Sequence, residues 1–443
     1  MTSRKNKTIG VTVLGAGLAG TEAVYQLIRR QIPVRLVEMR PKHSTGAHTS
    51  DQFAELVCSN SIGSNLPDRA SGLLKEELRL LGSYIIDVAY KYRVPAGNAL
   101  AVDRGAFARE ITRYLKGHTL IDFVNDEATE IPDDGLVIVA TGPLTSPALL
   151  QSIKKRLGTA HLEFFDAIAP LVSTESINMN VAFKADRYGE GEKGDYINCP
   201  MNKEQYLAFV DALVKAERIE LSKLEKDERK KYFNACQPVE IIAESGVDSL
   251  RFGPMKPVGL TDPNTGKRPY AVVQLRQDNL LASLYNLVGF QTNLKHAEQK
   301  RVFRMIPGLE KAEFFRLGQM HRNSYINAPK LLTPTLQLKK DSRIMFAGQL
   351  CGVEGYTESA ATGLVAGMNA VRMLQGKEPV VFPPETMIGS LLHYITFDGH
   401  KEFHPMNANF GIFKGEAGLK GDLRKEQIIK AARRTFREFC DSL

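Results

Sequence analysis

The chain has 443 residues, of which 43% are hydrophobic and 24% are charged, as in an average globular protein. This length exceeds one typical hydrophobic core, so we expect two compact parts, or one part with a large insertion. No run of about 18 apolar residues occurs, which argues against a membrane-spanning helix. Lys and Arg total 58 against 50 Asp and Glu, and the net charge of +8 favours an anionic partner without proving one.

The five cysteines stand far apart, at Cys58, Cys199, Cys236, Cys351 and Cys440. No pair has the CxxC spacing of a redox or zinc site, so we expect neither a disulfide framework nor a bound metal. Unpaired cysteines fit a reducing cytoplasm. The first seven residues are polar and basic and lack the apolar core of a signal peptide. The oligomeric state is not determined by these features.

The first strong motif is a glycine-rich turn between a strand at 9–14 and a helix at 21–30. It reads GxGxxG and consists of Gly15, Ala16, Gly17, Leu18, Ala19 and Gly20. A second apolar strand at 33–38 ends in Glu38, where a carboxylate would bind a ribose. Strand, turn, helix and terminal acid together predict a dinucleotide site, with the pyrophosphate at the helix N-terminus.

Further along the chain, the apolar spacing predicts amphipathic helices at 73–90 and 104–116. A buried strand at 135–142 follows and ends at Gly142. From about residue 174 the composition changes to short strands, a charged helix at about 203–231 and Gly/Pro-rich loops. This stretch predicts a mixed α+β segment rather than a continuation of the first domain.

Nucleotide-binding character returns at a strand over 343–348 and a helix over 355–374. The turn between them contains Gly348, Gln349, Gly352, Gly355 and Tyr356. A second glycine turn late in the chain, together with the one at Gly142, favours FAD over NAD alone. We therefore predict an α/β fold in which a Rossmann-like FAD-binding domain (1–172 and 322–443) carries an inserted α+β domain (173–321).

Two of the cysteines lie in segments that suit reactivity. Cys58 stands in a polar Gly/Ser/Asn-rich loop, and Cys236 stands in a turn after a basic helix end. Exposure and a nearby cation favour the reactive thiolate, although free cysteines are more often buried and inert. Both interpretations stay open on the residues alone. His321, Arg322 and Arg343 are candidate substrate contacts.

Several longer motifs occur together with these turns: GAGLAGTEA, VCSNSIGSN, ACQPVE, RFGPMKPVGL, GFQTNLK, HRNSYI and GQLCGVEGYTESAATGLVAG. In this combination the chain closely resembles the bacterial folate- and FAD-dependent tRNA (uracil-5-)-methyltransferases. The resemblance runs from about Thr8 to the C-terminus, and the cysteine loops are far more specific than GxGxxG.

The resemblance implies methylation of a T-loop uridine of tRNA. The one-carbon unit would come from 5,10-methylenetetrahydrofolate, and NADH or NADPH would supply the electrons through FAD. Cys58 and Cys236 stand at the positions of the two functional cysteines of the family. We expect Cys236 to add to carbon 6 of uracil and Cys58 to remove the proton from carbon 5, although the assignment of the two steps is open.

Three other functions remain open from the sequence. The same chemistry on a ribosomal RNA uridine is the first, although the presence of both Cys58 and Cys236 favours tRNA as the target. A NAD(P)H–flavin oxidoreductase with a small acceptor would need no RNA, and a flavin-containing RNA-binding protein would show no turnover with folate. A methyl-transfer assay on unmodified tRNA, with and without the folate, separates them.

Overall fold

The computed structural model describes residues 9–43, 45, 47–158, 162–187, 194–219, 237–413 and 421–443, with the backbone alone at 162–167, 320–322 and 421. Its strands are β1 (Val11–Leu14), β2 (Val34–Val37), β3 (Ser61–Ser64), β4 (Arg93–Val94), β5 (Ala99–Val102), β6 (Ile121–Val124), β7 (Leu136–Val139), β8 (Leu162–Ile168), β9 (Leu171–Ser173), β10 (Phe183–Lys184), β11 (Tyr196–Met201), β12 (Ala271–Gln277), β13 (Leu284–Leu287), β14 (Phe314–Arg316), β15 (Gln319–Tyr325), β16 (Gln337–Leu338) and β17 (Asp341–Phe346).

The helices follow in the same chain order. They are α1 (Leu18–Ile28), α2 (Ala70–Leu80), α3 (Tyr84–Lys91), α4 (Arg104–Lys116), α5 (Pro147–Leu157), α6 (Lys203–Lys215), α7 (Val239–Glu244), α8 (Ser249–Phe252), α9 (His296–Phe303), α10 (Ala328–Leu331), α11 (Tyr356–Leu374), α12 (Met387–Thr396) and α13 (Gly421–Asp441). None of these helices is both long enough and apolar enough to cross a bilayer.

The first sheet has six strands in the order β16-β17-β7-β1-β2-β6. β1 pairs in parallel with β2 on one side and with β7 on the other. The strand order therefore reverses at β1, which makes this strand the topological switch point. Its central strands are short apolar runs, as a sheet covered on both faces requires. In such sheets ligands bind outside the carboxyl ends of the strands at the switch point. The predicted Rossmann-like α/β architecture is confirmed.

The helix predicted over 73–90 is two helices, so the single-helix prediction was wrong. α2 ends at Leu80, and Gly82 with a φ of +73° turns the chain before α3. Ser83 then caps α3 by accepting a hydrogen bond from the amide of Ile86. Apolar spacing continues through the break because both helices bury one face in the same core, which hides the turn from a periodicity argument.

The second sheet is built around its own hydrophobic core, with the order β10-β11-β12-β13-β9-β14 and antiparallel pairing throughout. All its strands lie between Leu171 and Arg316. An antiparallel pair of β8 with β15 lies just outside these limits. We propose that this pair connects the inserted part to the first part. The charged helix predicted over about 203–231 was wrong in extent: α6 ends at Lys215, and Arg218 forms an isolated antiparallel bridge with Leu294. Residues 220–231 of that prediction lie outside the described residues.

Candidate functional site

A cleft opens at the carboxyl ends of β1, β2, β7 and β17. Nine of the residues predicted from the three glycine turns and the second strand line it together: Gly15, Gly17, Leu18, Ala19, Glu38, Gly142, Gly348, Gln349 and Tyr356. The sequence motifs, more than 300 residues apart, therefore meet in one place.

The three glycines of the first turn have three different physical roles. Gly15 has a φ of +94°, and a Cβ there would lie 2.7 Å from the carbonyl oxygen of Ala140. A Cβ on Gly20 would overlap the carbonyl oxygen of Gly15, so Gly20 allows the turn and α1 to pack. A Cβ on Gly17 would meet no protein atom within 4 Å. The space beside Gly17, at the start of α1, is thus left for a ligand, and a pyrophosphate fits it.

Glu38 lies at the end of β2 as predicted, and its carboxylate is almost fully buried. One oxygen accepts a hydrogen bond of 2.8 Å from the amide of Ala16, and the other accepts one of 2.9 Å from the Arg40 guanidinium. Burial alone would raise the pKa of Glu38, but the charge and hydrogen bonds of Arg40 outweigh burial and hold the pKa below its usual value. Glu38 is therefore a fixed carboxylate able to accept from a ribose hydroxyl.

The late glycine turn closes the other side of the cleft. Gly348, Gly352 and Gly355 all have positive φ angles, between +76° and +114°. Gly348 lines the cleft, whereas Gly355 lines a neighbouring cavity, and a Cβ on Gly352 would collide with the Phe403 ring. The predicted residues Ala16, Gly20 and Gly352 are not among the cleft-lining residues. These three residues belong to the two turns but do not face the cleft.

A neighbouring cavity is lined by Cys58. Both cavities share a wall formed by Val57, Pro143, Leu144, Gln349 and Tyr356. The second cavity is also lined by polar groups, among them Ser59, Ser61, Asn323, Glu354 and Asn407. A substrate in this cavity would lie beside a cofactor in the cleft, with the Cys58 thiol against it.

The Cys58 thiol is held by Tyr356. The Tyr356 hydroxyl oxygen accepts hydrogen bonds from the backbone amides of Cys58 (3.0 Å) and Ser59 (3.2 Å), and it lies 2.9 Å from Cys58 Sγ. Burial, followed by the neighbouring Cys58, raises the pKa of Tyr356 well above its usual value, so the hydroxyl keeps its proton. With both lone pairs engaged by amides, the remaining O–H is free to donate to the sulfur.

Arginines from two elements fix the loop around the thiol. Arg104, at the start of α4, donates to the carbonyl of Leu56 at 2.9 Å. Arg276, on β12 of the inserted part, donates to the side chains of Ser59 at 2.6 Å and Asn60 at 3.0 Å. The inserted sheet therefore supports the cysteine loop directly.

The charges of this cluster are predominantly positive. Asp278 pairs with Arg104 at 2.8 Å, while Arg276 and Arg316 form no ion pair with a described carboxylate. Burial and the Arg104 charge lower the pKa of Arg316 to about 10, and Cys58 is close enough to affect it. Cations beside a thiol favour its thiolate form.

The remaining predicted residues are placed as follows. Cys236 lies outside the described residues. His321 and Arg322 lie on β15, next to Asn323 of the second cavity, and their side chains are not described. Arg343 lies at the opposite end of β17 from the cleft and pairs with Asp341 at 2.7 Å, so the structure brings it to neither cavity.

The other three cysteines have different surroundings. Cys199 and Cys351 are fully buried, and burial raises the pKa of both thiols, that of Cys351 to about 12. Cys440 is half-buried on α13. Cys199 and Cys351 therefore have the buried surroundings that are typical of inert thiols.

Sequence reasoning missed Arg40, Arg104 and Arg316. Arg40 lies two residues after the predicted ribose-binding acid. A basic residue this close to the acid was the available signal. Arg104 reads as an ordinary first-turn residue of a helix. Arg316 lies on a three-residue strand with no motif. The residues around Arg104 and Arg316 lie far away in the sequence, so only the fold could reveal these two.

Comparison with known proteins agrees with this site. The family profile described as "Glucose inhibited division protein A" matches residues 10–378. The structure of GidA from Aquifex aeolicus in its form I crystal has a TM-score of 0.69 at 17% identity, and the match covers 98% of this chain and 76% of that one. At this identity the likeness shows a shared fold.

Two relatives share a much higher sequence identity with this chain. A protein of Desulforudis audaxviator is 56% identical over 427 residues, covering 96% of both chains. A protein of Bacillus licheniformis is 53% identical over 436 residues, covering 98% of this chain and 99% of its own. Both are named methylenetetrahydrofolate--tRNA-(uracil-5-)-methyltransferase. The chain belongs to this family of folate-dependent tRNA methyltransferases.

Proposed function

We propose that this chain methylates carbon 5 of a uracil in tRNA and takes the one-carbon unit from methylenetetrahydrofolate. The observation that carries the proposal is the near full-length identity of 52–56% to relatives whose names state this reaction. Cys58 supports it, because its thiol lines the second cavity, which shares a wall with the cleft, and the reaction needs a thiol near both cofactor and substrate.

FAD is the cofactor that fits the cleft. Gly15, Gly17 and Gly348 would bind its pyrophosphate through backbone groups, and Glu38 would accept hydrogen bonds from the ribose. Gly142 and Gln349 line the same cleft. When bound, FAD supplies the hydride that completes the methyl group. NADH or NADPH is the proposed source of electrons.

Cys58 is the proposed base. Its sulfur faces the Tyr356 hydroxyl, and the nearby guanidinium groups favour the thiolate. A thiolate at this wall of the second cavity takes the proton from carbon 5 after the new carbon–carbon bond forms. Tyr356 holds the sulfur in place while it does so.

Cys236 is the proposed nucleophile. Carbon 5 of uracil is a weak nucleophile until a group adds to carbon 6. The Cys236 thiolate forms a bond to carbon 6, the double bond between carbons 5 and 6 breaks, and the electron pair moves to carbon 5 and the carbon-4 oxygen. After methylation the sulfur leaves. Support for this role comes from the family position of Cys236.

The target is proposed to be the T-loop uridine of tRNA, and the enzyme is proposed to act in the cytoplasm. No disulfide joins any two of the four described cysteines, which suits a reducing compartment. The excess of basic over acidic residues suits an RNA substrate.

The test is methyl transfer from labelled methylenetetrahydrofolate to an unmodified tRNA transcript, with NADH or NADPH present. We expect label at the T-loop uridine and no label in a transcript carrying cytidine there. Label only in a ribosomal RNA fragment would identify the other RNA target. Flavin turnover with no label in any RNA would favour an oxidoreductase and overturn the proposal.

A further inference from the structure

Asn323 is a polar residue in the wall of the second cavity whose side chain has no protein partner among the described residues. The residue is 3% exposed, and its carboxamide forms no hydrogen bond with any described group. Every other polar side chain that lines this cavity bonds to another group of the protein. Buried carboxamides are nearly always bonded, so Asn323 calls for a ligand in the cavity.

The geometry of β15 turns the side chain of Asn323 toward this cavity. β15 pairs with β8 residue by residue along its whole length, so its side chains alternate regularly between two faces. Asn323 therefore shares a face with Tyr325, whose hydroxyl donates a hydrogen bond of 3.3 Å to the carbonyl oxygen of Phe403. Asn407, from the segment that follows Phe403, lines the cavity together with Asn323. This face of β15 is thus the one that meets the cavity wall.

Backbone hydrogen bonds fix Asn323 beside the wall that the two cavities share. The amide of Ser324 donates to the carbonyl oxygen of Pro143 at 2.9 Å, and Pro143 belongs to the shared wall. The amide of Ile326 donates at 2.9 Å to the carbonyl oxygen of Leu350, in the late glycine turn. A ligand bonded to the Asn323 carboxamide would therefore share its cavity with the thiol and adjoin the cofactor cleft.

The hydrogen-bonding groups of a carboxamide match one edge of uracil. The side chain offers an acceptor oxygen beside a donor nitrogen, and uracil presents the N3–H donor beside the carbon-4 oxygen. Enzymes that modify a base inside a pocket take it out of its stack and read this edge by hydrogen bonds. Carbon 6 lies opposite N3 in the ring, so a uracil held by this edge turns carbons 5 and 6 away from Asn323. Both reacting carbons then remain open to the thiols and the one-carbon unit.

We propose that Asn323 binds the target uracil, with Oδ1 accepting a hydrogen bond from N3–H and Nδ2 donating one to the carbon-4 oxygen. This inference rests on the proposed function and identifies a substrate-binding residue for it. The contact orients the base in the second cavity. Its donor also meets the negative charge that the carbon-4 oxygen gains when a thiolate adds to carbon 6.

The test combines a change in Asn323 with a change in the base. Wild type and Asn323→Ala are compared in single-turnover methylation of a T-arm RNA hairpin that contains uracil or 3-methyluracil at the target. The methyl group replaces the N3–H donor and should slow the wild type at least about 100-fold. Asn323→Ala should methylate uracil about 10- to 100-fold more slowly than wild type. In this variant the methyl group should have little further effect, because its partner is gone.

Two further variants keep the test decisive. Asn369→Ala is the matched control: this buried carboxamide bonds the backbone of Val380 and does not line the cavity, so its loss should lower stability and leave the response to 3-methyluracil intact. Asn323→Asp keeps the shape of the side chain but has no donor for the carbon-4 oxygen, so it should methylate uracil no faster than Asn323→Ala. Flavin content and the unfolding midpoint show whether each variant is folded. Any effect of the methyl group on the RNA hairpin itself is common to all enzymes and cancels in the comparison.

Other outcomes would overturn the assignment. An equal response to 3-methyluracil in wild type and Asn323→Ala would exclude contact with the N3 edge of the base. The pterin ring of the folate carries the same N–H and carbonyl edge. Such an equal response, together with weaker tetrahydrofolate binding by Asn323→Ala in a titration without RNA, would therefore place the pterin at Asn323. If wild type methylates no RNA, the proposed function itself fails, whereas an equal response in active enzymes refutes only the role of Asn323.

Discussion

The hydroxyl of Tyr356 accepts a hydrogen bond from the backbone amide of Cys58 and lies 2.9 Å from its sulfur. Tyr356 begins α11, almost 300 residues further along the chain, and lines both cavities. The late glycine turn thus contributes to the cofactor cleft and also positions the thiol. One residue thus lines the cleft that we propose for the cofactor and contacts the thiol that we propose as the base.

The first prediction concerns this hydroxyl. Tyr356→Phe removes the acceptor of two amides and the donor to the sulfur, so we expect methylation to slow about 10- to 100-fold, corresponding to about 1–3 kcal/mol. Flavin content should stay near that of wild type. Tyr206→Phe is the control, because it loses one hydrogen bond to Val247 far from the thiol. An unchanged rate in Tyr356→Phe would contradict the role of the hydroxyl.

The second prediction separates two glycines of the first turn. Gly17→Ala adds a methyl group to free space, so the apoprotein should unfold at the wild-type temperature while FAD affinity falls at least about tenfold. Gly20→Ala forces an overlap with the carbonyl of Gly15 and should lower both stability and flavin content. Calorimetry of the apoproteins and flavin titration provide the measurements. Normal FAD binding by Gly17→Ala would mean that the pyrophosphate lies elsewhere.

The third prediction uses the depressed pKa of Glu38. A carboxyl whose pKa is lower in the folded state stabilises the fold above its unfolded pKa, and this contribution is lost as pH falls through the folded value. Glu38→Gln breaks a buried pair with Arg40 and should cost about 3–5 kcal/mol of unfolding free energy at pH 7. The difference from wild type should shrink below about pH 4. Denaturant titrations across this range measure it, and a difference independent of pH would refute the ion pair.

The fourth prediction assigns the two cysteines. An RNA with 5-fluorouracil at the target should trap a covalent complex, since fluorine does not leave carbon 5 as a proton does. Cys236→Ser should abolish this adduct, whereas Cys58→Ser should stop turnover and retain it. Denaturing gels and mass spectrometry report the adduct. The opposite pattern would exchange the two roles, and full activity in both variants would make both thiols structural.

Much of the cofactor site could be predicted because its determinants are local. GxGxxG, a terminal acid and a second glycine turn each act through backbone geometry within a few residues, and the structure brings them to one cleft. The break at Gly82 was missed because apolar spacing continues across it. A glycine followed by a good N-cap residue, Gly82 and Ser83, inside a periodic stretch was the available signal.

The surroundings of Cys58 could not be predicted in the same way. Its surroundings include Tyr356, Arg104 and Arg316, which come from three elements far apart along the chain. No spacing rule relates them. Arg276 lies in a polar stretch that gives no sign of its partner. Such contacts depend on how the inserted sheet packs against the first part, which is a property of the whole fold.

The hydrogen bonds from Arg276 to Ser59 and Asn60 join the inserted sheet to the loop that carries the thiol. We therefore expect correct docking of this proposed insertion to be a condition for an ordered cysteine loop, although its sheet lies apart from the glycine turns of the cleft. A chain with a misdocked insertion would still bind flavin, but its thiol would be poorly placed for transfer. Mutations that loosen this interface should produce yellow, inactive protein, so flavin colour alone is an insufficient measure of a competent enzyme.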